Sequence, residues 1–205
     1  ASSGCSFMWT FENQARTCGF SAVAGVDEAG RGPLAGPVVS AAVILPESLP
    51  VSGINDSKKL TPRKRQTLYH EIHRHALAIG VGIVDPDEID RINILQATLA
   101  SMALSVKNLL RKPDFLLIDG QFCIPMELPQ QTIVKGDSKS ISIAAASIIA
   151  KVTRDAIMDD YAEQYPEFDF GTNKGYPTKS HQDAIKKFGC CPIHRRTFKG
   201  VREYL

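Results

Sequence analysis

The sequence predicts an α/β fold: a mixed five-stranded sheet flanked by helices, with a helical C-terminal extension. Two runs of small and β-branched residues, 22–26 and 38–45, are joined by a short Gly- and Pro-rich connection, the pattern of a strand hairpin. Three further strand segments, 78–84, 115–118 and 131–135, alternate with stretches of helical period, which places helices against a sheet. No repeat or linker interrupts the 205 residues, and 43% hydrophobic with 22% charged positions suits a single folded unit. The expected division is a lead-in over 1–20, a main domain over 21–173, and a basic extension over 174–205 packed on that domain.

Each element has a local reason. The first residues are mixed and polar, a loose lead-in with one helical turn near Phe11. Thr61-Pro62 opens a helix, with Thr as cap and Pro at the first helical position, running to about residue 76. The acids of Asp85-Pro-Asp-Glu-Ile-Asp90 sit where a helix begins and complement its N-terminus, a reading preferred to a metal site. Leu95, Leu99, Met102, Val106 and Leu110 recur at helical spacing and form a core stripe. A long helix over 142–165 opens on small residues that allow close backbone approach, and a last helix covers 179–188.

Five cysteines without framework spacing, and no C-x-x-C pair, read as reduced thiols. No signal pattern is seen, and the longest apolar stretches are far short of the roughly 20 residues that span a bilayer. The expected location is therefore cytoplasmic. The formal charge of +2 hides a partition. Residues 174–205 hold eight Lys/Arg against two acids, leaving 16 against 20 elsewhere, a net of +6 beside −4. A carboxylate-bearing body with a basic arm suits a phosphate backbone.

Four carboxylates stand at strand ends: Asp27, Glu28, Asp119 and Asp137. In open α/β sheets, sites form at the carboxyl ends of strands. Acids converging there repel unless a cation compensates them, and oxygen-only ligation selects a hard ion such as Mg²⁺ or Mn²⁺. Neighbours on a regular strand face opposite ways, so Asp27 and Glu28 share a site only if the strand ends or twists at Glu28. The segment Gly30-x-Gly32-x-x-x-Gly36 lacks the dinucleotide spacing and any following Gly-Lys-Ser/Thr, which excludes a nucleotide-binding loop. The three histidines of the 61–76 helix, His70, His73 and His75, have no flanking ligand set and read as solvated.

Asp27-Glu-Ala-Gly-Arg-Gly-Pro-Leu-Ala-Gly-Pro37 resembles the signature of type 2 ribonuclease H, the bacterial ribonuclease HII family. Six further blocks resemble that family in order: Asn55-Asp-Ser-Lys-Lys-Leu60, Asp119-Gly120, Lys135-Gly-Asp-Ser138, Ala145-Ala-Ser-Ile148 with Ala150-Lys-Val-Thr-Arg-Asp155, Lys174-Gly-Tyr176 and His194-Arg-Arg196. The resemblance implies an RNase H-like fold and a metal-dependent endonuclease. Such an enzyme cuts the RNA strand of RNA–DNA hybrids and nicks 5′ of single ribonucleotides in duplex DNA, leaving 5′-phosphate and 3′-hydroxyl ends. It implies Asp27, Glu28, Asp119 and Asp137 as catalytic and metal-binding residues, with two Mg²⁺ or Mn²⁺ ions. It further implies that Gly30, Arg31 and Gly32 sense the ribose 2′-hydroxyl and that Tyr176 stacks on the sugar at the RNA-to-DNA junction. Lys58, Lys59, Lys151 and Arg154 are candidate phosphate contacts, with Asp155 a structural partner for such a cation. The chain departs from the family pattern at Asn173, where His is usual, and at Gly189-Cys-Cys-Pro192. A monomer is expected. The competing readings are a non-catalytic hybrid-binding module and a small-molecule phosphotransferase, the latter weakened by the missing phosphate loop.

Overall fold

The computed structural model describes residues 7–54 and 57–205, the side chain of Lys58 excepted. Its sheet has the strand order β3-β2-β1-β4-β5. Strands β1 (Val23–Ala29), β2 (Val38–Ile44) and β3 (Ala78–Val84) form an antiparallel meander. Strands β4 (Phe115–Asp119) and β5 (Gln130–Ile133) add in parallel on the other side of β1. The expected hairpin is therefore present, and the sheet is mixed.

Strand β2 is buried along its whole length because both sheet faces are covered. Ala41 and Val43 face one cluster, shared with Leu68 and Ile72 of α2 (Pro62–His75) and Ile148 of α5 (Ile141–Gln164). Ala42 and Ile44 face the other, shared with Met102 and Val106 of α4 (Ile94–Lys107). The period of two along the strand thus divides one apolar run between two cores. A Cβ on Gly25 would lie 2.1 Å from the Ser142 backbone, so only glycine lets the start of α5 rest directly on β1. That close approach delivers the rest of α5 to the end of β1.

Several elements depart from the sequence reading. Residues 1–6 of the lead-in lie outside the described residues, and the part from Phe7 on is not loose: α1 (Thr10–Thr17) is docked through Glu12, 1% exposed. One Glu12 oxygen accepts from the Ser140 hydroxyl at 2.5 Å and from the Ser142 N–H and hydroxyl at 3.0 and 2.6 Å. It closes the N-terminus of α5 from a distant part of the chain, beside the Ser140 hydroxyl cap. The apolar stripe ends sooner than its spacing suggests. Helix α4 stops at Lys107, and Leu110 is fully exposed. The acidic turn gives a separate short helix, α3 (Pro86–Ile92), because Asn93 has a φ of 70° and caps α4 with its own side chain.

Helix α2 begins as its Thr-Pro start requires, with the Thr61 hydroxyl accepting from the Lys64 N–H. The three α2 histidines are exposed or half-buried, as expected. After α5 the chain forms the four-residue α6 (Phe170–Asn173), then α7 (Lys179–Phe188) and an irregular tail. Ile185, Ile193 and Val201 of this region pack with Leu34, Ala35 and Met158, so the C-terminal segment shares a core with the β1–β2 connection. The four described cysteines, 18, 123, 190 and 191, are all free. Among the described residues no helix is long and apolar enough to cross a membrane.

Candidate active site

Register brings the acids together. Strands β1 and β4 run parallel, and their pairing ends at Val26↔Ile118. Asp27 and Asp119 are the next residues on adjacent strands, so their side chains leave the same face of the sheet. Glu28 lies on β1 as well, which continues to Ala29 and does not end where the shared site seemed to require. Beyond Val26 the strand has no parallel neighbour, and the longer Glu28 side chain has room to turn toward the same point. Carboxylate oxygens of Asp27, Glu28 and Asp119 all lie within 4.8 Å of one another.

Asp137 does not join this group. It is buried on the 3-10 turn Gly136–Ser138. The N–H of Gly136 donates to Asp119 Oδ1 at 2.6 Å, so the turn carrying Asp137 is fastened to the cluster by its backbone. Asp27 is 5% exposed. Burial first, then the negative charges of Glu28 and Asp119, push its carboxyl well above the usual carboxylate range. The Glu28 N–H, at 2.7 Å, and the Ser147 hydroxyl oppose that shift. Three converging carboxylates with no His or Cys among them fit a hard divalent cation, whose charge would relieve this repulsion.

A cleft of about 480 Å³ opens beside Glu28, lined among others by Arg31, Gly32, Ser57, Ser147, Lys151 and Tyr176. Its floor comes from α5, where Ser147, Lys151 and Asp155 fall four residues apart on one face. Ser147 Oγ lies 2.8 Å from Ser57 Oγ as well as bonding Asp27, a link between the metal-type cluster and the Ser57–Lys59 turn. Lys151 donates to Asp155 at 2.7 Å and sits 6.0 Å from the Tyr176 ring centre. Asp155 also lies 3.8 Å from Arg65, so it is the structural partner expected of it. Tyr176 is 41% exposed and packs at the distance of a contact with Gly32, where a Cβ would lie 3.6 Å from the ring.

Two buried guanidiniums shape the other wall. Arg154, 1% exposed, donates to the carbonyls of Pro37, Ala35 and Lys174 at 3.0, 3.0 and 2.9 Å. This corrects its reading as a phosphate contact: all its bonding capacity in these directions is turned inward, and burial lowers its pKa to about 10. Gly30, with a φ of 96°, lies directly over it, and a Cβ there would come within 2.1 Å of Arg154 Nε. Arg195 is wholly buried and donates to the carbonyls of Gly36, Arg31 and Gly30. In a trans peptide the N–H points opposite to the carbonyl, so the N–H groups of Arg31 and Gly32 face away from Arg195. The Arg31 side chain is exposed and lies 3.5 Å from Glu28.

Lys59 is exposed on the Ser57–Lys59 turn. Asn55, Asp56 and the Lys58 side chain lie outside the described residues. Asn173, one of the two departures, is a local brace: its amide donates to the Phe168 carbonyl at 2.7 Å and its oxygen accepts from the Gly175 N–H at 2.8 Å. Ser147, Ser57 and Arg195 lie inside blocks that resemble the family, but sequence reasoning gave none of them a role of its own. The four-residue spacing of Ser147, Lys151 and Asp155 is the signal that could have found the first; nothing local marks a guanidinium that will be buried.

Comparison with known proteins agrees with this geometry. A sequence model described as ribonuclease HII matches residues 24–201, which include every carboxylate of the site. The chain is 60% identical to a ribonuclease HII of Geobacter metallireducens over 198 residues, 97% of this chain and 93% of that protein. It is 58% identical to one of Geobacter sulfurreducens, covering 97% and 91%. The crystal structure of ribonuclease H2 from Pyrococcus horikoshii superposes with a TM-score of 0.75 at 31% identity, covering 90% of this chain and 97% of that one. With the mixed sheet, the acidic cluster at its parallel seam and this span of matched sequence, the chain belongs to the ribonuclease HII family of endonucleases.

Proposed function

We propose that this endonuclease cuts the RNA strand of RNA–DNA hybrids and nicks 5′ of single ribonucleotides embedded in duplex DNA, leaving 3′-hydroxyl and 5′-phosphate ends. One observation carries the reading. The carboxylate group lies at the edge of a cleft whose wall presents Gly30, Arg31, Gly32 and Tyr176 together. A site for scission and a site for sugar recognition thereby adjoin one cleft.

Asp27, Glu28 and Asp119 would hold the divalent ions, Mg²⁺ or Mn²⁺, with Asp137 contributing from the adjoining turn. Bound ions of this type supply Lewis acidity and lower the pKa of a bound water. The protein residues do the rest. The Ser147 hydroxyl and the Glu28 N–H fix the orientation of the Asp27 carboxylate. The outward N–H groups of Arg31 and Gly32 offer donors to a 2′-hydroxyl, the group by which a protein tells RNA from DNA. Gly32 has no Cβ to obstruct that approach. Tyr176 offers a flat exposed ring for a sugar to pack on. Lys151, which lines the cleft, and Lys59, on the turn that carries Ser57, would contact phosphates.

The test compares three duplexes: all-DNA, a long hybrid, and DNA with one ribonucleotide. The wild type should leave the first intact and cut the other two. Tyr176→Ala should lower kcat/KM on the single-ribonucleotide duplex by about tenfold, a stacking contribution of roughly 1–3 kcal/mol, and affect the long hybrid less. Equal loss on both substrates would contradict the role given to Tyr176.

A further inference from the structure

Behind Tyr176 lies a polar chain that the catalytic reading does not use. His181 and His194 are buried, at 0% and 1% exposure, in an aromatic box made by Phe168 and Phe170. The ring of Phe168 meets His194 edge-on at 4.8 Å, and that of Phe170 meets His181 edge-on at 5.4 Å. Three hydrogen bonds run through the pair. The Cys191 N–H lies 3.0 Å from His194 Nδ1, the two Nε2 atoms are 3.0 Å apart, and His181 Nδ1 is 2.9 Å from the Tyr176 carbonyl oxygen.

The ends of this chain determine its middle. A backbone N–H can only donate, so His194 Nδ1 accepts and its Nε2 carries the proton. A carbonyl can only accept, so His181 Nδ1 carries the proton and its Nε2 accepts. The two deductions start from opposite ends and meet in one consistent bond, His194 Nε2–H donating to His181 Nε2. The reverse polarity would set an N–H against the Cys191 N–H and a lone pair against the Tyr176 carbonyl. The longer 3.3 Å approach of His194 Nδ1 to the Cys191 carbonyl does not offset those two conflicts. Both rings are therefore neutral, each in a single tautomer.

We propose that His181 and His194 are positioning residues that set Tyr176 against Gly32, and so tune recognition of the ribonucleotide junction. The inference rests on the substrate reading of Tyr176 given above. Its physical content is the linkage between two walls. His194 pairs with Ala35 as an isolated bridge, and the next residue, Arg195, holds the Gly30 and Arg31 carbonyls. One dipeptide thus fixes the glycine loop through Arg195 and the Tyr176 backbone through His194 and His181. The other backbone hydrogen bonds of Tyr176 are local, its N–H donating to the Asn173 carbonyl and its carbonyl accepting from the Thr178 N–H, while its ring lies against Lys151 and Arg154.

The experiment measures kcat/KM on the single-ribonucleotide duplex and on a long hybrid for four variants and a control. His181→Leu and His194→Leu remove the chain. His181→Asn keeps an amide N–H near the Nδ1 position, and His194→Gln keeps one near Nε2. The Leu variants should lower the ratio of single-ribonucleotide to long-hybrid cleavage by about tenfold, the size of one well-made buried hydrogen bond, and the Asn and Gln variants should recover most of it. Long-range ¹H–¹⁵N spectra of the wild type should show His181 protonated at Nδ1 and His194 at Nε2, whether or not the Leu variants fold. Opposite tautomers, or variants that lose both substrates in equal proportion, overturn the proposal. Tyr176→Ala is the control. If it leaves the ratio unchanged, the reading of Tyr176 fails; if it lowers the ratio and the Leu variants do not, only the histidine proposal fails.

Discussion

Asp27 has to be buried to stand in the cluster, and burial beside two other acids is costly when all are ionised. Its raised pKa means that the folded, metal-free protein holds a proton there that the unfolded chain gives up near pH 3.8. Stability from this group is complete below that value and is lost as pH rises through the folded pKa. Asp27→Asn should therefore abolish cleavage and yet raise the Tm of the metal-free protein, by about 2–4 °C for each kcal/mol of repulsion relieved. Thermal unfolding in chelator at neutral pH reads this directly, and a lower Tm would count against it. The cluster was legible in the sequence because Asp27, Glu28 and Asp119 each follow an apolar strand run. Arg154 and Arg195 were not, because a guanidinium that faces carbonyls inside the protein has the same letter as one that faces phosphate. Three carbonyls for each are contributed by residues distant in sequence, such as Pro37, 117 positions from Arg154.

At the scale of elements, α5 ties the molecule together. Its first turn is held by Glu12, its middle supplies Ser147 and Lys151, and its Arg154 and Met158 support the glycine loop. Glu12→Ala should cost about 1–3 kcal/mol, because it leaves the buried Ser140 and Ser142 hydroxyls without their shared acceptor. Denaturant titration measures the loss, and a change below about 0.5 kcal/mol would show that α1 is not anchored this way. Helix α2 and α7 could be read from the sequence because their Thr caps, and the Pro after Thr61, are local signals. The docking of α1 could not, since Glu12 meets its partners 128 and 130 positions away. Periodicity likewise carried the α4 stripe one turn too far, to Leu110, because spacing alone does not register where a helix ends.

Across the whole molecule, the charge partition reads differently once folded. Of the eight Lys/Arg in 174–205, Arg195 is buried on carbonyls and Lys174 is paired with Asp159. Asp90, expected to complement a helix start, instead accepts from the Arg196 and Thr197 N–H groups and anchors the tail. The basic segment is thus partly a scaffold for the site it adjoins. Two titrations bound its stability. His194, whose pKa burial lowers from 6.5 to about 4, stays neutral in the fold while the unfolded chain takes a proton. Stability is then lost as pH falls from 6.5 toward 4, whereas the Asp27 effect acts in the opposite direction. In Asp27→Asn, which lacks that opposing group, Tm should fall on acidification over that range, and in the wild type added Mg²⁺ or Mn²⁺ should raise Tm more at neutral than at acid pH. A Tm gain from the metal that is independent of pH would contradict the carboxylate assignment. The most direct measurement is incubation of the folded protein with a DNA duplex carrying one ribonucleotide, in Mg²⁺, in Mn²⁺ and in chelator. The account predicts a single nick 5′ of the ribonucleotide with a 3′-hydroxyl and a 5′-phosphate, absent in chelator and absent in Asp27→Asn. An intact duplex in both metals, or a nick that persists in chelator, would contradict it.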